Sequence, residues 1–176
     1  MVSRVVIRPV QASDAVELVA ANLASIGLHE PWVSPCRDQA SFLGYLARCD
    51  GDRSFGFIAR ERESGRIVGV VNVSEIVRGF FQSAYMGYYG MAGMNGRGLM
   101  GEAVRLTVTH AFHGLGLHRL EANIQPGNAP SIASAGSEFP HKAPATSASV
   151  PVRVTVRSPG EDPREQQTIR SRPARR

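Results

Sequence analysis

Cysteine is scarce in this 176-residue chain. Cys36 and Cys49 match no metal or redox spacing. That excludes a disulfide scaffold and a cysteine-built metal centre, and it fits a reduced cytoplasmic protein with two ordinary thiols. The histidines, His110, His113 and His118 among them, also stand at no ligand spacing, so no metal is expected. No apolar run approaches the ~20 residues that cross a bilayer. The opening Met-Val-Ser-Arg leads straight into a strand-like segment, so neither a membrane partner nor a signal peptide is expected. Leucine is missing from residues 134–176, although the first 120 residues hold ten. The chain therefore changes character near its last quarter.

The length suits one domain with a real core. The net charge of +5 is unevenly placed: residues 134–176 carry eight basic against four acidic groups. The body is close to neutral, so nucleic acid is not an expected partner of anything but the tail. A nucleic-acid-associated protein remains a second reading, resting on that tail alone.

Hydrophobic periodicity orders the body. Residues 4–9 read as a strand, followed by an N-cap at Ser13-Asp14 and a helix carrying Val16, Leu18, Val19, Leu23 and Ile26. A loop containing Trp32 leads to a second helix from about Asp38 to Cys49. Residues 54–61 and 66–76 form a hairpin of strands turned at Glu63-Ser-Gly65, and Ser83 to Ala92 is the next strand. A helix spans about Leu99–Leu115, burying Ala103, Leu106, Val108, Ala111 and Phe112, and stops at Gly114 and Gly116. Residues 117–125 are a further strand, after which Asn128 caps another helix. This order predicts an α/β (α+β) fold with a mixed, mostly antiparallel sheet flanked by helices. The tail holds six Pro and six Ser. Only 150–157 shows strand alternation there, and it is expected to dock on the edge of the 118–125 strand. Ser158 to Arg176 has the composition of a disordered segment.

The richest local pattern lies between the 83–92 strand and its following helix. Gly93, Gly96, Gly98 and Gly101 crowd the turn. Glycines let the backbone approach a ligand closely, the first helix amides have no internal partner, and the helix dipole favours an anion. A phosphate or diphosphate is the natural guest. No Gly-Lys-Ser/Thr is present for a P-loop. Gly96-Arg-Gly98-Leu-Met-Gly101 fits a G-x-G-x-x-G string but follows several strands, so it does not by itself indicate a dinucleotide.

Three segments in this order resemble the GNAT superfamily of acetyl-CoA-dependent N-acetyltransferases, and most of all its RimJ-type branch, which acetylates protein N-termini including a ribosomal protein. They are Ile7-Arg-Pro9 with Asp14-Ala15, then Asn95-Gly-Arg-Gly-Leu-Met100 with Glu102-Ala103, then His118-Arg-Leu-Glu-Ala-Asn123 with Asn128-Ala-Pro-Ser131. The resemblance covers about residues 4–133. Asn95 stands where Gln or Arg is usual in the cofactor loop, and Met100 where many relatives have Gly or Ala. After Ser131 the family's Leu-Gly-Phe and Trp-Arg-Asp landmarks are absent, so the usual last two strands are expected to be lacking. We read residues 1–133 as the acetyltransferase domain and 134–176 as a basic, mostly disordered tail, produced by a shift of reading frame near Ala133–Ser134.

The resemblance implies acetyl-CoA as cosubstrate and direct attack by a primary amine, the α-amine of a protein or peptide. It assigns the diphosphate to the backbone amides of Gly96, Arg97, Gly98, Met100 and Gly101. The pantetheine arm falls to the backbone of Met91 and Ala92, with Asn128 as a further hydrogen-bonding group or solely an N-cap. It also implies a V-shaped slot between the 83–92 strand and the 118–125 strand. Ser131 is the candidate proton donor to the departing thiolate, or a first-turn residue satisfying the backbone. Glu75 is a candidate base or a solvated strand-end charge. Glu121 is a candidate base or half of an ion pair on the sheet, and a water chain is the third route for the proton. The alternative function is a remnant that binds CoA without turning over.

Overall fold

The computed structural model describes residues 2–136, 141–142 and 152–157. Strand β1 (Val5–Pro9) leads through a single 3-10 turn into helices α1 (Ala15–Ala24), α2 (Ile26–His29) and α3 (Gln39–Arg48). Strands β2 (Phe55–Glu61), β3 (Ile67–Val77) and β4 (Ser83–Gly90) follow as a meander. Helix α4 (Leu99–His113), β5 (Arg119–Ile124) and α5 (Ala129–Gly136) come next, then β6 (His141–Lys142) and β7 (Val152–Arg157). One sheet holds all seven strands in the order β1-β2-β3-β4-β5-β7-β6. Every pairing is antiparallel except β4 with β5. The mixed, mostly antiparallel sheet expected from the sequence is present.

Local chemistry accounts for the element ends. Asp38 caps α3, its Oδ1 accepting the Ser41 N–H at 2.7 Å while the Ser41 hydroxyl reaches back to the Asp38 N–H at 3.2 Å, a reciprocal capping box. Ahead of α1, the buried Asp14 carboxylate accepts the Gln11 N–H at 2.8 Å and is paired with Arg8 and Arg60. The core is a Val-rich sandwich. Val70, Val71 and Val73 of β3 are fully buried, and α4 lays Leu99, Ala103, Val104, Thr107, Val108 and Ala111 against the sheet. Leu106 and Phe112 are only partly buried beside that core. Val16 and Leu23, expected on the inner stripe of α1, are exposed; the inner face instead takes Leu18 and the polar Asn22, whose Nδ2 donates to the Cys36 carbonyl at 2.8 Å.

The edge of β5 is covered. β7 pairs with it from Arg119↔Arg157 to Ile124↔Val152, so the tail segment docks where its alternation predicted. The sheet thus ends in two strands drawn from the tail. The disorder expected over Ser158 to Arg176 lies outside the described residues. No described helix is long and apolar enough to cross a membrane.

Candidate functional site

β4 and β5 are partners only at Ser83↔Arg119, Ala84↔Leu120 and Tyr85↔Glu121. Beyond Tyr85 the two strands part, and a cleft of about 780 Å³ opens between them. Its walls come from β4 (Gly87 to Gly90), the turn after it (Asn95, Gly96, Gly98), the first turns of α4 (Met100, Gly101, Arg105), the end of β5 (Asn123 to Gln125), the start of α5 (Asn128, Ser131) and the α2 segment (His29, Trp32). The V-shaped slot is therefore a consequence of one short parallel pairing.

The N-terminus of α4 opens onto this cleft. Gly96 and Gly98 have φ of 74° and 75°, a conformation that costs an L-residue ~1–2 kcal/mol. Gly98 occupies the cap position without a side chain to close the helix. Where α3 satisfies its first amides with Asp38, the N–H groups of residues 95 to 101 donate to no described atom. They form a row of open donors at the positive end of a helix dipole. Gly69 sets how closely α4 approaches the sheet. A Cβ there would lie 2.4 Å from the Tyr89 carbonyl and 2.7 Å from Met100 Sδ.

Ser131, Gly96, Gly98, Met100, Gly101 and Asn128 all line the cleft. Asn128 caps α5, its Oδ1 accepting the Ser131 N–H at 3.2 Å. The Ser131 hydroxyl has no hydrogen-bond partner among the described residues. Arg97 does not line the cleft, although its backbone N–H donates to no described atom. Its side chain turns away to pair with Glu61 on β2, and its carbonyl accepts from Arg4 Nη2 at 3.1 Å.

Met91 and Ala92 require a correction. The Met91 N–H is already given to the Val68 carbonyl at 2.9 Å, and its carbonyl accepts the Met94 N–H at 3.1 Å. The Ala92 N–H is held by Ser25 Oγ at 2.9 Å. Neither residue lines the cleft. Main-chain groups alternate between the two edges of a strand, and Met91 points back to β3, so Tyr88 and Gly90 present their backbone to the slot. The expected strand overruns the observed one by two residues: Met91 turns its N–H back to β3, and Ala92 lies past the strand end. The Gly90 carbonyl agrees, facing away from β3 to meet His29 Nε2 at 2.8 Å.

The two carboxylates are not brought to the cleft walls. Glu121 is buried at the vertex where β4 and β5 part, with Arg119 Nη2 3.4 Å from its Oε1. Glu75 sits on a bulge of β3 at φ 53°, exposed, beside a second concavity. Among the described residues no group of three His, Cys, Asp or Glu side chains is placed to hold a metal ion.

The acetyltransferase (GNAT) domain family matches residues 4–136. The chain belongs to the GNAT acetyltransferase family. The probable N-acetyltransferase YjcK of Bacillus subtilis is 41% identical over 88 residues, which is 50% of this chain and 49% of that protein. The chain thus matches about half the length of that relative. The [ribosomal protein uS5]-alanine N-acetyltransferase of Escherichia coli is 31% identical over 134 residues, 71% of this chain and 69% of that protein. The solved structure of Mycobacterium smegmatis RimJ in complex with CoA-disulfide shares the fold at a TM-score of 0.74, with 22% identity over 96% of this chain and 90% of that one.

This GNAT site contains a cation that the sequence gave no reason to single out. Arg105 lines the cleft one turn beyond Gly101, exposed and without an ion-pair partner among the described residues; helical spacing alone does not say which cation faces a site. Glu102 also lines the cleft, but it is tied down. Arg4 Nε meets its Oε1 at 2.7 Å, while the Arg4 N–H and the Ser3 hydroxyl reach Oε2 at 2.9 and 3.1 Å. Burial pushes its carboxyl up, but the Arg4 guanidinium and these donors outweigh that, so it stays ionised and neutralised in place. Tyr88 and Tyr89 face opposite sides of β4. Tyr88 donates its hydroxyl to the Ser131 carbonyl at 2.5 Å, and Tyr89 meets His29 edge-on at 5.1 Å. Burial raises both phenols well above their ordinary range, so both remain protonated donors.

Proposed function

We propose that this chain is an acetyl-CoA-dependent N-acetyltransferase whose acceptor is a primary amine, the α-amine of a protein or peptide. The row of unpartnered amides at residues 95 to 101, set at the mouth of the β4–β5 slot, carries the reading. Those donors suit a diphosphate, and Arg105 adds beside them a cation with no ion-pair partner among the described residues. The slot-facing edge of β4, at Tyr88 and at the Gly90 N–H, offers main-chain groups to a pantetheine arm. The residues present fit the cosubstrate.

Transfer forms a C–N bond and breaks the thioester C–S bond. The amine loses a proton and the thiolate gains one. Ser131 is the candidate that lines the cleft with a free hydroxyl, and we assign it the proton delivered to sulfur. Glu121 is held by Arg119 and Glu75 lies outside the cleft, so in this reading water carries the amine's proton away. The name of the Escherichia coli relative, which specifies an alanine of a ribosomal protein, supports a protein α-amine as acceptor.

Titration of the purified chain with acetyl-CoA in a calorimeter, followed by turnover of an N-terminal peptide panel read as free thiol, tests the proposal. Micromolar binding with thiol release that depends on peptide is expected. Binding without turnover would leave a CoA-binding remnant, and absence of binding would remove the assignment.

A further inference from the structure

A second concavity, of about 560 Å³, lies between the C-terminal end of α3 and β3. Its lining differs in kind from the cleft. Arg48 and Arg53 are exposed cations with no ion-pair partner among the described residues. Glu75 lines the same concavity from a β3 bulge, in a left-handed conformation that a side chain rarely takes. Bulges re-aim side chains and cluster beside functional sites. At its inner end Tyr45 donates its hydroxyl to Asn72 Oδ1 at 2.7 Å, and burial keeps that phenol protonated. The Asn72 Nδ2 group has no hydrogen-bond partner among the described residues.

This concavity and the cleft meet across one cross-strand pair. Asn72 of β3 lines the first and its register partner Gly87 of β4 lines the second. A Cβ placed at Gly87 would touch nothing within 4 Å, so the sheet surface between them is open. Along β3, Asn72 and Glu75 are three residues apart, or ~10 Å of extended chain.

We propose that the second concavity binds the acceptor chain beyond its reacting amine: an extended peptide crosses the sheet over Gly87, hydrogen-bonds Asn72 Nδ2, and sets its following residues among Arg48, Arg53 and Glu75. This rests on the transferase reading above. It assigns the ligand as a peptide of about four residues or more, because a small amine ends at Gly87 and touches none of these groups. Mixed charge and unpaired donors suit a peptide backbone with polar side chains.

The test compares alanine amide with an alanine-led hexapeptide as acceptors for the intact chain and for Arg53→Ala and Glu75→Gly, the latter also relieving the backbone at 75. In the wild type the hexapeptide is expected to exceed the amide in kcat/KM by tenfold or more, and each variant is expected to lower that ratio at least threefold. A hexapeptide with a photo-reactive fourth residue should label residues 48–54 or 72–75 in the presence of CoA. A wild-type ratio near one, ratios unmoved in both variants, or labelling elsewhere would overturn the assignment while leaving the transferase reading intact. Acetyl-CoA binding with no amine acetylated would overturn both.

Discussion

The Tyr88 hydroxyl reaches across from β4 to the Ser131 carbonyl on α5, 2.5 Å away. The two elements it joins belong to opposite walls of the slot, so one hydrogen bond fixes the separation of the cofactor-facing edge from the helix that carries the candidate acid. Tyr88→Phe keeps the ring and removes the bond. A neutral hydrogen bond of ~1 kcal/mol is worth about fivefold in rate or affinity. We expect kcat/KM for acetyl-CoA to fall about fivefold with the fold intact by circular dichroism, and the loss to be shared by Ser131→Ala in a double-mutant cycle.

Gly98→Ala probes the cradle. At φ 75° a side chain costs ~1–2 kcal/mol, and the added Cβ would approach Arg4 Nη2 at 3.6 Å, an ordinary contact. Strain therefore governs, not collision. Thermal melts should drop by several degrees, and calorimetric affinity for CoA should fall by more than the tenfold expected from 1.4 kcal/mol if the loop must also deform to donate.

Arg105→Ala removes a solvent-facing cation beside the amide row. Exposed charge pairs contribute ~1 kcal/mol or less and are screened by salt. The acetyl-CoA KM should rise about threefold at low ionic strength and converge with wild type at high salt, while the melting temperature stays put. An equal shift at all salt concentrations would argue against direct contact with the anion.

Asp14 makes the chain acid-sensitive. Burial pushes its carboxyl up, but Arg8, the Gln11 N–H and Arg60 outweigh it and hold the folded-state value below the ordinary carboxylate range. A carboxyl that is more acidic folded than unfolded stabilises the fold above its ordinary range. That contribution is lost as pH falls through the ordinary range to the lower folded value. Asp14→Asn should cost ~3 kcal/mol at pH 7, the scale for breaking a buried charged pair. Urea melts of wild type and variant should converge toward pH 3.

Much of the body was readable from local pattern. Strands β2 to β4, helix α4 and the glycine turn follow from period-2 and period-3.6 apolar spacing and from Gly93, Gly96 and Gly98, whose positive φ no other residue adopts cheaply. The docking of 152–157 followed from its alternation and from the unpaired edge it would find. The backbone assignment at Met91 and Ala92 failed because an apolar run marks neither where a strand stops nor which edge a residue's amides face. Val16 and Leu23 failed on α1 because the buried face of that helix includes the polar Asn22 beside Ala15 and Leu18, and apolar spacing does not reveal a buried polar position.

By itself the sequence determined the elements, their order, the open helix N-terminus after Gly98 and membership of a family of acyl transferases, since these depend on neighbours within a few residues or on motifs in line. Tertiary structure decided which groups share a space. Arg4 reaches Glu102 across 98 positions, Tyr88 reaches Ser131 across 43, and Asn72 lies beside Gly87 through a strand register. Such contacts depend on strand register, on how α4 lies against the sheet and, for Tyr88 with Ser131, on where β4 and β5 part, which no local spacing encodes.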